Sequence, residues 1–214
     1  MLEWYRRDCD YRQLMVDCEH LFLHIKECLL RNRWFAPDRS ALHGPFWDAT
    51  LAPPWERLQV AEAFVRFSSL TVQDALAADR FDEILVEAIE PRLGFLTPTF
   101  LYDYPVEMAS LARKKNEDPS IAERFELYLG GVELANGFSE LTDVHEQTCR
   151  FEKEIDIINN VHGGRAAMPH RFLSDLRHLG AAAGIALGLD RIFMLISGAE
   201  TINDAVSFSE NDII

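Results

Sequence analysis

Hydrophobic and polar residues alternate in the middle of the chain, over residues 124–143 (RFELYLGGVELANGFSELTD). Up to Gly130-Gly131, apolar residues take every second position, and this period of two predicts a half-buried strand. Two consecutive glycines suit a two-residue turn, because both central positions of such a turn need positive φ. The pattern therefore predicts a hairpin, with Tyr128 opposite Glu133.

The predicted register gives the hairpin one apolar face and one polar face. It places Glu126 opposite Ala135, and the break in the alternation at Asn136-Gly137 predicts a bulge there. The polar face carries Glu126, Tyr128 and Glu133. The apolar face carries Phe125, Leu127, Leu129, Val132 and Leu134.

Three carboxylates, from Glu126, Glu133 and Glu140, are expected to converge on a small area of this hairpin. Like charges that lie so close are unfavourable unless a cation lies between them. A divalent metal on a nucleotide, or a substrate ammonium, would supply that cation. The alternative is an exposed hairpin face on which the glutamates are simply hydrated.

The other predicted elements surround this hairpin in a single domain, residues 1–214. Residues 1–5 (MLEWY) are predicted to form a strand with Glu3 and Tyr5 on one face, and residues 10–32 have the apolar spacing of an amphipathic helix. Residues 33–95, which include a short strand after Trp55, are interpreted as a helical insertion without chemistry. A strand at residues 99–104 and a helix at residues 144–160 follow.

The composition makes the chain acidic. Its formal net charge of −14 disfavours a broad nucleic-acid surface, because such a surface needs a basic face. One small basic patch, residues 110–115 (SLARKK), is either a local anion site or a solvated loop. No apolar run approaches the length of a membrane span and no signal peptide is recognisable, so a cytoplasmic protein without a membrane partner is expected.

Residues 181–198 (AAAGIALGLDRIFMLISG) combine a run of small residues with a helix. Gly188 is interpreted as a sharp turn, after which the helix begins at Leu189. Arg191 in its first turn opposes the helix dipole, which is tolerable if the side chain reaches an anion; phosphate favours that end of a helix. The alternative is that Arg191 pairs with Asp190 or a neighbouring glutamate.

Together these stretches resemble a known family, the lysine-specific branch of class II aminoacyl-tRNA synthetases. RFELYLGGVELANGFSELTD resembles that branch, GIALGLDRIFML its third signature motif, and MLEWY the last strand of its second motif. Leu134-Ala135, Ala186 and the C-terminal AVSFSENDII are more similar to the paralogous ligases that modify elongation factor P. The resemblance implies an α+β catalytic core, a mostly antiparallel sheet flanked by helices.

The resemblance also implies residue roles at a nucleotide end and an amino-acid end. Glu126 and Glu133 would hold Mg²⁺ and the phosphates of ATP, and Arg191 would contact the γ-phosphate. Gly188 would line the adenosine shelf. The implied catalytic residues are Arg191 and Glu133. The implied residues of the amino-acid pocket are Glu3, Tyr5, Asn136, Phe138, Glu140, Gly184 and Ala186, with Glu140 and Tyr5 at the side-chain ammonium and Glu3 at the other amino group.

The implied reaction is ATP-dependent adenylation of lysine or β-lysine, followed by transfer to a lysine of elongation factor P. Two alternatives stay open: transfer to tRNA, and a non-catalytic paralogue that binds a nucleotide, an amino acid or a partner protein. The family's first motif, and the loop of the second motif that bears the α-phosphate arginine, would lie upstream of Met1. We therefore expect an N-terminally truncated core with weak activity, no tRNA transfer, and a homodimer only if the upstream segment exists.

Overall fold

A computed structural model describes residues 1–32, 43–109, 111–160 and 164–208. Within these ranges six strands form one sheet in the order β1-β6-β5-β4-β3-β2. All neighbouring strands of this sheet are antiparallel except β2 and β3, which are parallel. The strands are β1 (Leu2–Arg7), β2 (Glu56–Gln59), β3 (Thr99–Pro105), β4 (Ile121–Leu129), β5 (Val132–Ser139) and β6 (Ala182–Leu187).

Helices flank this sheet, which confirms the predicted α+β class. The α-helices are α1 (Tyr11–Asn32), α2 (Pro45–Asp48), α3 (Val60–Phe67), α4 (Val72–Ala77), α5 (Phe81–Ile84), α6 (Val144–Asn160), α7 (His170–Leu176), α8 (Leu189–Ser197) and α9 (Ile202–Ala205). A π-helical turn (Leu85–Ile89) continues α5, and two 3₁₀ turns span Glu90–Arg92 and Val106–Met108. Among the described residues, no helix has the length and apolar character that crossing a membrane requires.

The two faces of the sheet are covered to different extents. On one face, α1, α2 and α8 bury a continuous core to which β4, β5 and β6 contribute. On the other face, α3 to α5 cover β2, β3 and part of β4, where Leu101, Tyr104 and Tyr128 are buried. The half of this second face that belongs to β1, β6 and β5 has no helix packed over it in the described part of the chain, and it borders a cavity.

The central hairpin forms as predicted, except for its bulge. Leu129 lies opposite Val132 and Tyr128 opposite Glu133, but the register shifts next, so that Glu126 lies opposite Asn136 and not Ala135. The predicted position of the bulge at Asn136-Gly137 is therefore wrong, and the extra residue is at Leu134. Leu134 and Ala135 are both buried in the main core, so apolar burial explains why the strand bulges there.

Gly137 remains in the ladder opposite Phe125. A Cβ at this glycine would lie 2.6 Å from the Phe125 ring, so its missing side chain makes room for an aromatic residue of the core. Gly137 therefore has a packing role and does not form the predicted bulge.

The segment predicted as a helical insertion also contributes to the sheet. Its described part, residues 43–95, supplies α2 to α5 and the strand β2, which pairs with β3. Residues 33–42 lie outside the described residues.

The described cations of the basic patch are all paired with carboxylates. Arg113 lies 2.6 Å from Glu123, Lys114 lies 3.0 Å from Glu146, and Lys115 pairs with Asp103. Ser110 lies outside the described residues. This arrangement favours the interpretation of the patch as a set of local ion pairs.

Asp103 connects the start of α1 to the sheet. It lies at a bulge of β3 and has a φ of 65°. Its carboxylate accepts hydrogen bonds from the Tyr11 hydroxyl (2.7 Å) and the Gln59 amide (3.1 Å), and it also pairs with Lys115. Asp103 is buried, so these donors replace the water that its charge would otherwise require.

Removing the Tyr11 hydroxyl should leave the buried Asp103 short of one donor. We expect Tyr11→Phe to lower the free energy of unfolding by about 1.5–3 kcal/mol, the usual value for a hydrogen bond to a charged group. Urea denaturation of both proteins would measure this difference. The control is Tyr102→Phe, because Tyr102 lies on β3, the strand of Asp103. This substitution should change the free energy of unfolding by less than about 0.5 kcal/mol. Equal effects of the two substitutions would contradict this account.

Candidate functional site

The open half of the sheet face forms a trough because its middle strand carries small residues. Across the strands, Glu3 on β1 lies opposite Ala186 on β6, and Ala186 lies opposite Asn136 on β5. Asn136 in turn lies opposite Glu126 on β4. Paired residues of neighbouring strands point to the same face of a sheet, so these four side chains form one row.

A second row runs parallel to the first, one step further along the strands. Tyr5 lies opposite Gly184, Gly184 opposite Phe138, and Phe138 opposite Arg124. In both rows the residue on β6 is small and its neighbours on β1 and β5 are large. The floor of the trough is therefore Gly184 and Ala186, as the sequence analysis expected.

This trough is the centre of a cavity of about 320 Å³, the lower end of the size range for small-ligand pockets. All seven residues predicted for the amino-acid pocket line it: Glu3, Tyr5, Asn136, Phe138, Glu140, Gly184 and Ala186. Arg124, Ala109 and Leu111 also line it and were not predicted. The structure thus brings together residues from positions 3 to 186 of the chain.

Gly184 determines how closely the two polar walls approach each other. A Cβ at this position would lie 2.6 Å from Glu140 Oε1 and 2.6 Å from the ring of Tyr5. Both side chains therefore occupy the space that any larger residue would need. Tyr5 itself is 65% exposed, so it forms the rim of the cavity, whereas Glu140 lies deeper.

The carboxylate of Glu140 is poised for a cationic ligand. Burial raises the pKa of Glu140 to about 7, because its charged form loses hydration in the cavity. Burial also raises the pKa of Tyr5, and the charges of Glu140 and Glu3 raise it further. A ligand ammonium between these groups would relieve the cost of the buried negative charge.

The nucleotide end of the predicted site forms a second cavity of about 390 Å³. Glu133, Gly188 and Arg191 line it, and Asn136 and Ala186 line both cavities. The two cavities therefore meet at this pair of residues.

Arg191 is held by the hairpin. Its guanidinium donates to the backbone carbonyl of Glu133 (2.8 Å) and to Glu133 Oε2 (3.1 Å). The first turn of α8 is thus tied to β5, and the arginine pairs with a glutamate, which was one of the two alternatives of the sequence analysis. Both groups are partly exposed, so a phosphate has access to Arg191.

Glu126, predicted for the nucleotide end, lines neither of the two cavities and is only 6% exposed. Its Oε2 accepts hydrogen bonds from the hydroxyls of Tyr104 and Tyr128, both at 2.6 Å. Its Oε1 accepts bonds from Arg124 (2.7 Å) and from the Asn136 amide (3.1 Å). Four donors already surround this carboxylate, and a metal ion bound to it would have to share its oxygens with them.

Glu90 is a third carboxylate at this end, and it was not predicted because the residue belongs to the predicted insertion. It lies 3.1 Å from the Tyr128 hydroxyl. Burial and the charges of Glu126 and Glu133 raise its pKa. Burial and the charge of Glu126 likewise raise the pKa of Glu133, although Arg191 acts in the opposite direction.

These carboxylates are compatible with magnesium carried by a nucleotide. Mg²⁺ is usually held by one or two carboxylates together with substrate phosphates and water. Within the described residues no group of three or more His, Cys, Asp or Glu side chains is arranged to hold a metal. A site completed by phosphate oxygens fits this donor set better than a site built by the protein alone.

The sequence matches a known family over almost its whole length. Residues 1–212 match the family model described as tRNA synthetases class II (D, K and N). The elongation factor P–(R)-β-lysine ligases of Proteus mirabilis and Photorhabdus laumondii are 37% and 36% identical to this chain, over 97% and 98% of its length. The corresponding ligase of Salmonella gallinarum is 34% identical over 98%.

The chain spans 64% of the length of each of these relatives. The match includes the strand with Glu3 and Tyr5, the hairpin with Glu126 to Glu140, and the strand and helix from Gly184 to Arg191. These are the elements that build the two cavities. The chain therefore belongs to the class II tRNA synthetase family that comprises the aspartate, lysine and asparagine enzymes.

Proposed function

We propose that this chain is the catalytic part of an ATP-dependent ligase that activates lysine or β-lysine and transfers it to a lysine of elongation factor P. The observation that carries this proposal is the junction of the two cavities at Asn136 and Ala186. One cavity has the carboxylates of Glu3 and Glu140, which suit a diamino acid. The other has the carboxylate and the arginine that suit a metal-bound triphosphate.

In the amino-acid cavity, each carboxylate would bind one ammonium group of the substrate. Glu140 and Tyr5 would bind the side-chain ammonium, since Glu140 is largely buried and no cation among the described residues pairs with it. Glu3 would bind the α- or β-amino group. The substrate carboxylate would then point toward the row of Asn136 and the nucleotide.

In the nucleotide cavity, Arg191 would contact the γ-phosphate and Gly188 would border the adenosine. Glu133 and Glu126 would hold Mg²⁺, Glu133 directly and Glu126 with its hydrogen bonds shared. The metal, when bound, supplies positive charge that offsets the phosphates. Glu126 also fixes the amide of Asn136, which keeps the junction of the cavities in place.

The reaction is in-line attack of the substrate carboxylate on the α-phosphate, with pyrophosphate as leaving group. The residues of this site contribute by holding the two reactants together and by neutralising charge, which are the two effects that accelerate such a transfer. None of the proposed residues has to act as a nucleophile.

The names of the relatives support elongation factor P as the acceptor. The charge of the chain supports the same choice over tRNA. Its formal net charge is −14, and the described cations of the basic patch are paired with carboxylates. A tRNA surface would require unpaired cations that neutralise phosphates.

Two assays test the proposal. Exchange of labelled pyrophosphate into ATP should depend on lysine or β-lysine, and mass spectrometry should show the amino acid attached to elongation factor P. Transfer to lysine tRNA in place of elongation factor P would favour the synthetase alternative. Binding of the amino acid without pyrophosphate exchange would favour the non-catalytic alternative.

Glu140→Gln should weaken the binding of lysine or β-lysine by about 2–5 kcal/mol, the usual loss when one member of a buried charge pair is removed. Isothermal titration calorimetry would measure the two affinities. Glu123→Gln is a control, because Glu123 is an ion-pair carboxylate that does not line the cavity. Unchanged affinity of the Glu140 variant would contradict the assignment.

The affinity for lysine should depend on pH through Glu140. With the pKa of Glu140 near 7, the ionised form that attracts an ammonium is lost as the pH falls through about 7. Affinity should then decrease by up to about tenfold per pH unit. Without ligand, folding stability depends on pH with the opposite sign. Ionisation of the buried Glu140 lowers the free energy of unfolding as the pH rises through about 7. Calorimetry between about pH 5.5 and 8.5 should show this dependence in the wild type and none in Glu140→Gln.

Ala186 should restrict the floor of the pocket and favour the β-amino isomer. Ala186→Gly should shift the preference toward α-lysine by about tenfold or more, the usual effect of one methyl group in a pocket. The ratio of the two affinities measures this shift. Ala183→Gly is a control on the opposite face of the same strand. A wild-type preference for α-lysine would count against β-lysine as the substrate.

A further inference from the structure

The tip of the central hairpin, Gly130-Gly131, is enclosed by two segments that lie earlier in the chain. The amide of Gly130 donates to the carbonyl of Gly94, and the amide of Gly131 donates to the carbonyl of Leu93, both at 2.8 Å. Pro45, the first residue of α2, covers Gly130 so closely that a Cβ on this glycine would overlap the Cβ and Cγ atoms of the proline. We name Pro45, Leu93 and Gly94 the hairpin clasp.

The turn alone does not explain the glycine at position 130. Gly130 and Gly131 have φ of 60° and 77°, so both have the positive φ that the turn requires. Asparagine tolerates this conformation, and Asn-Gly is a preferred pair in such turns. Pro45 excludes a side chain at position 130, whereas a Cβ at position 131 would lie 3.5 Å from Pro91 Cα, an ordinary contact. Residue 130 is therefore constrained by α2 as well as by the turn.

Pro45 is itself held in place by other elements of the fold. Lys26 on α1 donates to the carbonyl of Trp47 (3.0 Å), and the indole of Trp47 donates to the carbonyl of Ile196 near the end of α8 (2.9 Å). Phe46 is buried in the main core. Because α1, α8 and the core anchor α2, this helix cannot retreat from the hairpin without breaking these contacts.

The hairpin clasp adjoins the nucleotide end of the proposed site. Glu133 follows the turn closely, and its backbone carbonyl and its carboxylate accept the two hydrogen bonds that Arg191 donates to the hairpin. Glu140 of the amino-acid cavity, in contrast, follows the opposite end of β5. A displacement of the hairpin tip should therefore move the nucleotide groups more than the amino-acid groups.

We infer that the contact between Pro45 and Gly130 positions the hairpin tip, and with it Glu133 and Arg191, for the triphosphate of the nucleotide. This inference rests on the proposed function and deepens it by adding two positioning residues. Neither Pro45 nor Gly130 lines the nucleotide cavity, so both act through Glu133. Such positioning matters because a distant substitution that misplaces a site by about 1 Å can cost about a hundredfold in rate.

The test adds one methyl group at each glycine of the turn. Gly130→Ala forces Pro45 and the hairpin apart, and because α2 is anchored, the hairpin tip should give way. Isothermal titration calorimetry should show at least about tenfold lower affinity for Mg·ATP and less than about threefold change for lysine. Gly131→Ala is the matched control, because it adds the same group at positive φ without an overlap. It should leave both affinities within about threefold of the wild type.

A second substitution tests whether the loss arises at the contact itself. Pro45→Gly removes both proline atoms that a Cβ at residue 130 would overlap. The double variant Gly130→Ala/Pro45→Gly should therefore bind Mg·ATP at least about fivefold more tightly than Gly130→Ala, a coupling that independent substitutions do not show. Pro45→Gly alone completes the double-mutant cycle.

Gly130→Asn gives the same test with less backbone strain. Asparagine tolerates positive φ and suits the first position of this turn, yet it carries the Cβ that meets Pro45. Urea denaturation of each variant checks that it folds. If Gly130→Ala does not fold, Gly130→Asn takes its place, with the same expected loss for Mg·ATP and the same recovery in combination with Pro45→Gly.

The outcomes are distinguishable. Unchanged affinity for Mg·ATP in the variants of Gly130 would overturn the inference, as would equal weakening of Mg·ATP and lysine, which indicates a general structural role. A double variant without recovery would overturn it as well. In these three cases the proposed function would stand. A wild type that binds lysine but not Mg·ATP would overturn the proposed function and this inference together.

Discussion

The buried carboxylate of Glu126 is the constraint on which the site depends. An ionised group in this position would cost several kcal/mol if it were left without partners. It is instead surrounded by two phenol hydroxyls, a guanidinium and an amide, which come from β3, β4 and β5. Arg124 and Asn136 both donate to this carboxylate, so their side chains are held in place before any ligand binds.

The uneven covering of the sheet explains why the site lies where it does. The helices α3 to α5 bury the second face only over β2, β3 and part of β4, and Tyr104 and Tyr128 mark the edge of that cover. Their hydroxyls reach Glu126 from the covered side. On the other side, the small residues Gly184 and Ala186 prevent β6 from filling the trough with its own side chains. The trough therefore lies between the buried polar network around Glu126 and strand β6, whose side chains on this face are small.

Local pattern predicted the central hairpin and the longer helices, but not strand β6 or helix α7. Two glycines at 130 and 131 define the turn, and the period of two then places Glu126 and Glu133 on the same face, as observed. The pocket residues came from motif resemblance, and the structure brings all seven of them to one cavity. Their chemical roles remain predictions, since the structure describes their positions and not their ligands.

The features that sequence reasoning missed depend on contacts between distant segments. The bulge at Leu134 follows from the burial of two successive apolar residues, which only the packed core reveals. Glu90 reaches the site because the segment before β3 folds back against Tyr128. Arg124 follows the same alternation as Glu126, so its face was predictable, but its proximity to Met108 was not.

The shared wall of the two cavities has a thermodynamic consequence. Asn136 and Ala186 line both cavities, so in the proposed reaction the amino acid and the nucleotide would share a wall and their affinities would be coupled. Linkage requires the coupling to be reciprocal: whatever factor the nucleotide contributes to the affinity for the amino acid, the amino acid contributes to the affinity for the nucleotide. The order in which the two arrive then changes the kinetics of assembly and leaves the stability of the ternary complex the same.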